Sequence, residues 1–329
     1  MKNKLSLIVV TLLVIGISLI FISKTMHLEQ GAYFDAIAKF QPTYWLAALT
    51  AALFQTIFQI NRLWVLFPKE ARLKWTHTAR AFTYGQFLNT FGPNGAGDVL
   101  KVVLTRKHED KQGRQVEASE SSAIVFVVDK LADVGSIILL TLIALSQAPI
   151  ALPEIKWNEH VKTVLLGAII LSIVFYTLFF GFRKRAGAIA QWIEGFKVGL
   201  QALREPKRFS SALLMGVGNS LSKVIALHIL CASLGFSLSY PELVFSILIL
   251  NLGISVPISP GNLGVYEASL AFAISKFGVP MAESLAIATV HHACQMIEIA
   301  ILALLFWLHE RWQDWRRESN VQPVTQISK

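Results

Sequence analysis

The stretch Ser255–Leu270, SVPISPGNLGVYEASL, decides how the chain is read. Pro257 and Pro260, then Gly261 and Gly264, interrupt a long apolar run, and the acid Glu267 follows at once. Proline removes a backbone donor and blocks helix continuation, while glycine permits turn conformations and close approach. A helix has to break here. In hydrocarbon, broken backbone is tolerated only where it is buried in protein or lines a watery cavity, so the break predicts a pocket.

Working outward, the setting for that pocket is a membrane. The chain has 329 residues, 54% of them hydrophobic and only 16% charged, with a mean hydropathy of +0.53. That composition belongs to a polytopic membrane protein and leaves no large water-soluble domain. The net charge of +9 comes from Lys and Arg gathered between apolar segments. The positive-inside rule accounts for them, so no nucleic-acid partner is expected. Cys231 and Cys294 have no metal-ligand or redox spacing and read as packing residues.

A second break stands upstream. Residues 81–104 contain Pro93, Gly95 and Gly97, with basic residues before them at Arg62, Lys69, Arg72, Lys74 and Arg80 and after them at Arg106, Lys107, Lys111 and Arg114. A single crossing would export the second basic group, so the segment is expected to enter and return as a re-entrant hairpin with legs of about ten residues. Residues 243–277 form the second expected hairpin, entering from the opposite side.

The remaining apolar runs are single spans: Leu5–Ser23, Tyr44–Ile60, Ser121–Leu145, Val161–Phe182, Ser211–Leu234 and Ala282–Leu308. Leu5–Ser23 is long for a signal-peptide core and lacks a small-residue cleavage site at Phe21-Ile22-Ser23, so a retained first span is expected. Residues 183–208 are strongly basic, yet Ile189, Trp192, Ile193, Phe196, Leu200 and Leu203 recur at helical spacing. This describes an amphipathic helix on the anionic inner leaflet, with a plain connector helix as the alternative. Residues 311–329, opening with Arg311 and Trp312, read as a cytoplasmic tail. Both termini fall inside and the location is the inner membrane.

The order span, span, hairpin, span then occurs twice, at an offset of about 160 residues: Leu5 with Val161, Tyr44 with Ser211, Pro93 with Pro260, Ser121 with Ala282. The expected fold is an all-α polytopic membrane protein of two inverted repeats, residues 1–160 and 161–310, enclosing a polar cavity at the midplane. PNGAGD at Pro93–Asp98 and PGNLGVYE at Pro260–Glu267 echo each other, each running from proline through glycines to an acid.

Ionisable groups at mid-membrane cost about 2.5 to 3.5 kcal/mol each on insertion scales, so several together mark a polar interior. Asp129 and Asp133 share one helix face, as do Gln55, Gln59 and Arg62, Asn219 and Lys223, and His291, Gln295 and Glu298. The residues expected to meet a headgroup are Asp98, Lys101, Asp129, Lys130, Asp133, Glu267, Glu298, Arg62 and Lys223. Internal pairing of the same acids and bases is the competing structural role. Asp98 and Glu267, in the first turn after each break, also suit helix capping. His291 and His292 are candidates for a proton relay, against an ordinary interhelical packing role. Neither HExxH, GxSxG nor a Walker loop occurs, so no enzymatic activity, metal or cofactor is expected. The alternatives are a membrane-embedded lipid-linked transferase using Asp129, Asp133 and Glu298 to hold Mg²⁺, and a non-transporting envelope assembly factor.

Four motifs carry a family resemblance: GPNGAGDVLKVVL (Gly92–Leu104), DKLAD (Asp129–Asp133), PISPGNLGVYEASL (Pro257–Leu270) and FGVP (Phe277–Pro280). Together they resemble the flippase-like membrane region of lysylphosphatidylglycerol synthases and its stand-alone relatives. The resemblance spans nearly the whole chain and implies a lipid translocator for an aminoacylated phospholipid or a polyprenyl-phosphate-linked sugar. The family commonly carries Gly-Gly at Gly261-Asn262 and Arg at Lys101 and Lys130; Lys keeps the charge but loses the bidentate fork. The soluble aminoacyl-transfer domain is absent from this chain, so synthesis of the lipid is not expected. The implied partners are the lipid and the membrane, in a single chain or an oligomer.

Overall fold

The computed structural model describes residues 30–68, 73–93, 95–106, 116–147, 186–255 and 259–320. The expected spans Leu5–Ser23 and Val161–Phe182, and Pro257, lie outside the described residues. Within them every regular element is helical: α1 (Gln30–Ala38), α2 (Pro42–Leu66), α3 (Trp75–Phe91), α4 (Ala96–Arg106), α5 (Ala118–Ala123), a π-helical turn (Ile124–Val128), α6 (Asp129–Gln147), α7 (Ala186–Leu200), α8 (Pro206–Ser233), α9 (Tyr240–Ile254), α10 (Val265–Ser275) and α11 (Met281–Asn320). Three are long and apolar enough to cross a membrane: α2, α8 and the Met281–Arg316 part of α11. Their outward side chains fit that medium, with Phe54, Leu214, Ile225, Ile301 and Leu304 all exposed, as are Leu142 of α6 and Leu252 of α9.

The helices on either side of the two breaks are shorter. α3 has 17 residues and α4 has 11; α9 has 15 and α10 has 11. At about 1.5 Å per residue none of the four spans a hydrocarbon core of about 30 Å. The first leg is longer than the ten residues expected, because α3 starts at Trp75 rather than Ala81. α3 and α4 lie antiparallel in close contact. Gly85 stands against Lys101 and the Gly97 carbonyl, and a Cβ on Gly97 would fall 1.8 Å from the Gly85 carbonyl oxygen. In the second pair, Gly253 of α9 faces Ser269 of α10.

The two breaks touch. Gly261, at φ 60°, backs onto α3 so tightly that a Cβ would sit 2.3 Å from the Thr90 carbonyl oxygen. Its neighbour Asn262 has φ 57°, a left-handed conformation that Asn tolerates better than most residues. Asn at this place in a commonly Gly-Gly motif therefore preserves the turn.

Two apolar clusters flank a polar layer. One joins Ile60, Leu63 and Leu66 of α2, Phe82 of α3, Ile124 and Val128 of the π turn, Ala132 of α6 and Ala212 of α8. The other joins Ala48 of α2, Ile137 and Leu140 of α6, Leu227 and Leu230 of α8, and much of α9, α10 and α11. Cys231 and Cys294 are buried, unpaired members of the latter. Between the clusters α2 presents Gln55 and Thr56, α6 presents Asp129, and α8 presents Asn219 and Lys223, all of them buried.

Other boundaries also differ from the sequence reading. Residues 30–38, which lie between two expected spans, form α1, which docks on α11 with the Tyr33 hydroxyl 3.3 Å from Thr289 Oγ1. α11 continues to Asn320, so the division drawn at residue 311 falls inside a helix. In the basic segment, α7 turns Gly195 and Gly199 onto Ser119, Glu120 and Ala123 around α5, leaving Ile193 exposed.

Candidate functional site

A cavity of about 600 Å³ opens in the polar layer, lined by residues from α2, α3, α4, α6, α8, α9, α10, α11 and the two breaks at Gly95 and Gly261. Its walls include Gln55, Thr56, Gln59 and Arg62; Asp98 and Lys101; Asp129, Lys130 and Asp133; Lys223, Asn251, His292 and Glu298. Of the nine residues expected to meet a headgroup, eight line it; Glu267 stands behind His292.

On one wall Arg62 ties α2 to α6. Its Nε donates to Asp129 Oδ1 at 2.7 Å and its Nη2 to Asp129 Oδ2 at 3.3 Å, while Nη1 donates to Asp133 Oδ1. The i,i+4 spacing places both carboxylates on the face that one guanidinium fork reaches. Asn219 Nδ2 adds a donor to Asp133 at 3.1 Å, and Gln59 Nε2 steadies Asn219 at 3.0 Å. The π-helical turn directly before Asp129 shifts the register of the helix, as such bulges often do at functional sites.

A second cluster forms where α3 and α4 meet. Asp98 accepts from Lys101 Nζ at 2.9 Å and from Asn89 Nδ2 at 3.0 Å, and Lys130 Nζ lies 3.5 Å from its other oxygen. These three partners are all side chains, and the backbone group capped here is the N–H of Gly97, which donates to Asn89 Oδ1 at 2.8 Å. Asn89 is therefore the residue that closes this turn. Lys130 keeps its side chain 55% exposed to the cavity.

The third cluster surrounds the second break. Glu267 caps α10 by accepting the Gly264 N–H at 2.7 Å, and its other oxygen lies 2.7 Å from His292 Nδ1. Tyr266 stacks on His292 at 4.1 Å between centroids. The Tyr266 hydroxyl accepts from Gln295 Nε2 at 2.6 Å and lies 2.7 Å from His291 Nδ1. The other ring nitrogen of His291 is 3.2 Å from the Lys223 carbonyl. With both nitrogens committed and the ring buried, His291 joins three helices and is absent from the cavity wall; His292 reaches the wall.

Two side chains are paired differently from the rest. Lys223, buried, donates to the neutral side chain of Asn251 at 3.1 Å, and among the described residues no carboxylate stands within salt-bridge distance of it. Glu298 accepts from the Thr56 hydroxyl at 3.1 Å.

Asn89, Asn251, Thr56 and Tyr266 were not among the candidate residues. Asn251 is a lone polar group in an apolar helix, while Thr56, Asn89 and Tyr266 each stand within three residues of another polar side chain; burial turns each of them into a demand for a partner.

Long apolar helices, paired short helices and buried charge around a cavity define an all-α, multi-pass membrane protein. The profile described as the lysylphosphatidylglycerol synthase TM region matches residues 7–304, nearly the whole chain, and the protein belongs to that family. No curated protein matches the chain.

Proposed function

We propose that this protein moves a phosphate-bearing lipid headgroup between leaflets, through the cavity and without chemical conversion. On this reading α3–α4 and α9–α10 are re-entrant hairpins of two inverted repeats, their contact at Thr90 and Gly261 lies near the midplane, and the protein sits in the inner membrane with both termini inside. α7, with Ile193 outward, rests on the inner leaflet. The volume falls in the range of small-molecule sites.

The observation that carries the proposal is Lys223. A buried ammonium in a membrane bundle normally forms an ion pair; this one bonds an amide, the nearest wall carboxylate, Asp133, is held by Arg62 and lies beyond salt-bridge distance, and the half-exposed Lys130 stands on the facing helix across an open cavity. That arrangement offers two cations to an anionic group, whether the phosphate belongs to an aminoacylated phospholipid or to a polyprenyl carrier. The acyl chains stay among the exposed apolar side chains outside. The transferase reading needs Asp129 and Asp133 for a metal; here both are held by Arg62.

The test is reconstitution of the full-length protein in vesicles carrying fluorescent phosphatidylglycerol or its lysyl ester, with dithionite quenching of the outer leaflet. Flipping above protein-free vesicles, lost in Lys223→Ala and Asp133→Ala at equal protein incorporation, supports the reading. Wild-type protein indistinguishable from empty vesicles for these lipids and for a polyprenyl-phosphate sugar removes it in favour of the assembly-factor role.

A further inference from the structure

We infer that Glu298 carries a proton in the empty cavity and gives it up to an incoming lipid ammonium group, making the translocator a proton–headgroup exchanger. The inference rests on the translocation reading and adds to it an energy source and a polarity for the headgroup.

Glu298 is only 7% exposed and lines the cavity. Its Oε2 accepts from Thr56, and its Oε1 is buried with no hydrogen-bond partner. The other acids of the site all have basic side chains as partners: Asp98 has Lys101 and Lys130, Asp129 and Asp133 have Arg62, and Glu267 has the His292 ring.

On the helices that pack against α11, the buried charged groups have partners of their own. On α2, Arg62 holds Asp129 and Asp133. On α3, Arg80 and Tyr84 both bind Glu310. Lys223 of α8 bonds Asn251. On α10, Tyr266 and Glu267 are taken by Gln295 and His292. α1 offers the Tyr33 hydroxyl, which bonds Thr289, and an exposed Asp35. On α11 itself His291 and His292 are bound to Tyr266 and Glu267. Among the described residues none of these cations comes within 4.0 Å of the Glu298 carboxylate.

A buried carboxylate with one hydroxyl donor and no counter-ion is more stable as the neutral acid. The same position becomes favourable for the anion once an ammonium arrives, because the pair then compensates its own desolvation. The step balances: the proton leaves Glu298 for water, the ammonium takes its place, and departure of the headgroup on the other side lets the acid re-protonate there. Lys223 and Lys130, elsewhere on the wall, remain for the phosphate.

Two measurements test this on the full-length protein. In infrared spectra of the protein in vesicles, the carbonyl-stretch band of a protonated carboxylic acid is expected at neutral pH, absent in Glu298→Gln and shifted but present in Thr56→Val. If Glu298→Gln leaves the wild-type spectrum unchanged, the proposal fails, whatever the transport result. In vesicles containing lysyl-phosphatidylglycerol, one unit of pH difference is expected to sustain an about tenfold asymmetry between leaflets through one-for-one exchange. Glu298→Gln should leave the lipid evenly distributed at any gradient. Wild-type flipping with no response to the gradient overturns the exchange while leaving translocation standing; no flipping of any lipid by wild-type protein overturns both.

Discussion

The carbonyl oxygen of Thr90 occupies the space where a side chain on Gly261 would begin, 2.3 Å from the position of its Cβ. Thr90 lies in the last turn of α3 and Gly261 within the second break, so one backbone contact locks the two interruptions together. Gly261→Ala therefore meets two penalties, a left-handed backbone at φ 60°, worth about 1 to 2 kcal/mol for a side-chain-bearing residue, and a clash with main chain that cannot rotate away. The expected outcome is a lower thermal unfolding midpoint in detergent. Gly278→Ala, where φ is 87° but nothing lies within 4 Å, should carry the first penalty alone and fall between it and wild type.

Arg62 is expected to matter for stability before it matters for transport. Arg62→Met strands Asp129 and Asp133 without their cation, and breaking a buried pair costs about 3 to 5 kcal/mol. Adding Asp129→Asn and Asp133→Asn removes the stranded charges. The triple variant should regain most of the lost unfolding midpoint and still fail to flip lipid in the dithionite assay. Recovery of both properties would assign this cluster to folding alone.

The proline–glycine breaks, the i,i+4 aspartates and the polar stripes were legible because each depends on local covalent chemistry or helical period. Partner choice was not. Nothing near Lys223 in the sequence names Asn251 as its partner, 28 positions on, and Asp98 looks like a helix cap until the neighbouring leg brings in Asn89 to cap Gly97 instead. The π turn at Ile124–Val128 lies in an apolar run with no Pro or Gly to announce it. Likewise α1, at Gln30–Ala38, packs against α11, a contact far away in the sequence.

Asn89 offers a direct check on that last class of residue. Its amide oxygen takes the Gly97 N–H and its amide nitrogen donates to Asp98. Asn89→Ala leaves a backbone donor and part of a buried carboxylate unsatisfied, at about 1 to 3 kcal/mol for each such group. Asn89→Asp keeps the acceptor for Gly97 but sets a second negative charge beside Asp98, so it should rescue little. A thermal midpoint for Asn89→Ala equal to wild type would show that the turn is closed by other contacts.

The course of α3 and α4 can be read from either end. Gly85 pairs with Lys101 and Asn89 with Gly97, so the two helices run antiparallel, and their outer ends at Lys74 and Arg106 are both exposed. If the pair enters and returns, Lys74→Cys and Arg106→Cys react with a membrane-impermeant maleimide from the same side, and Arg316→Cys at the far end of α11 reports that side too. The native cysteines give little background because Cys231 and Cys294 are both buried. Labelling of Lys74→Cys and Arg106→Cys from opposite sides would mean that this segment crosses the bilayer, and with it the two-repeat reading of the cavity would fall.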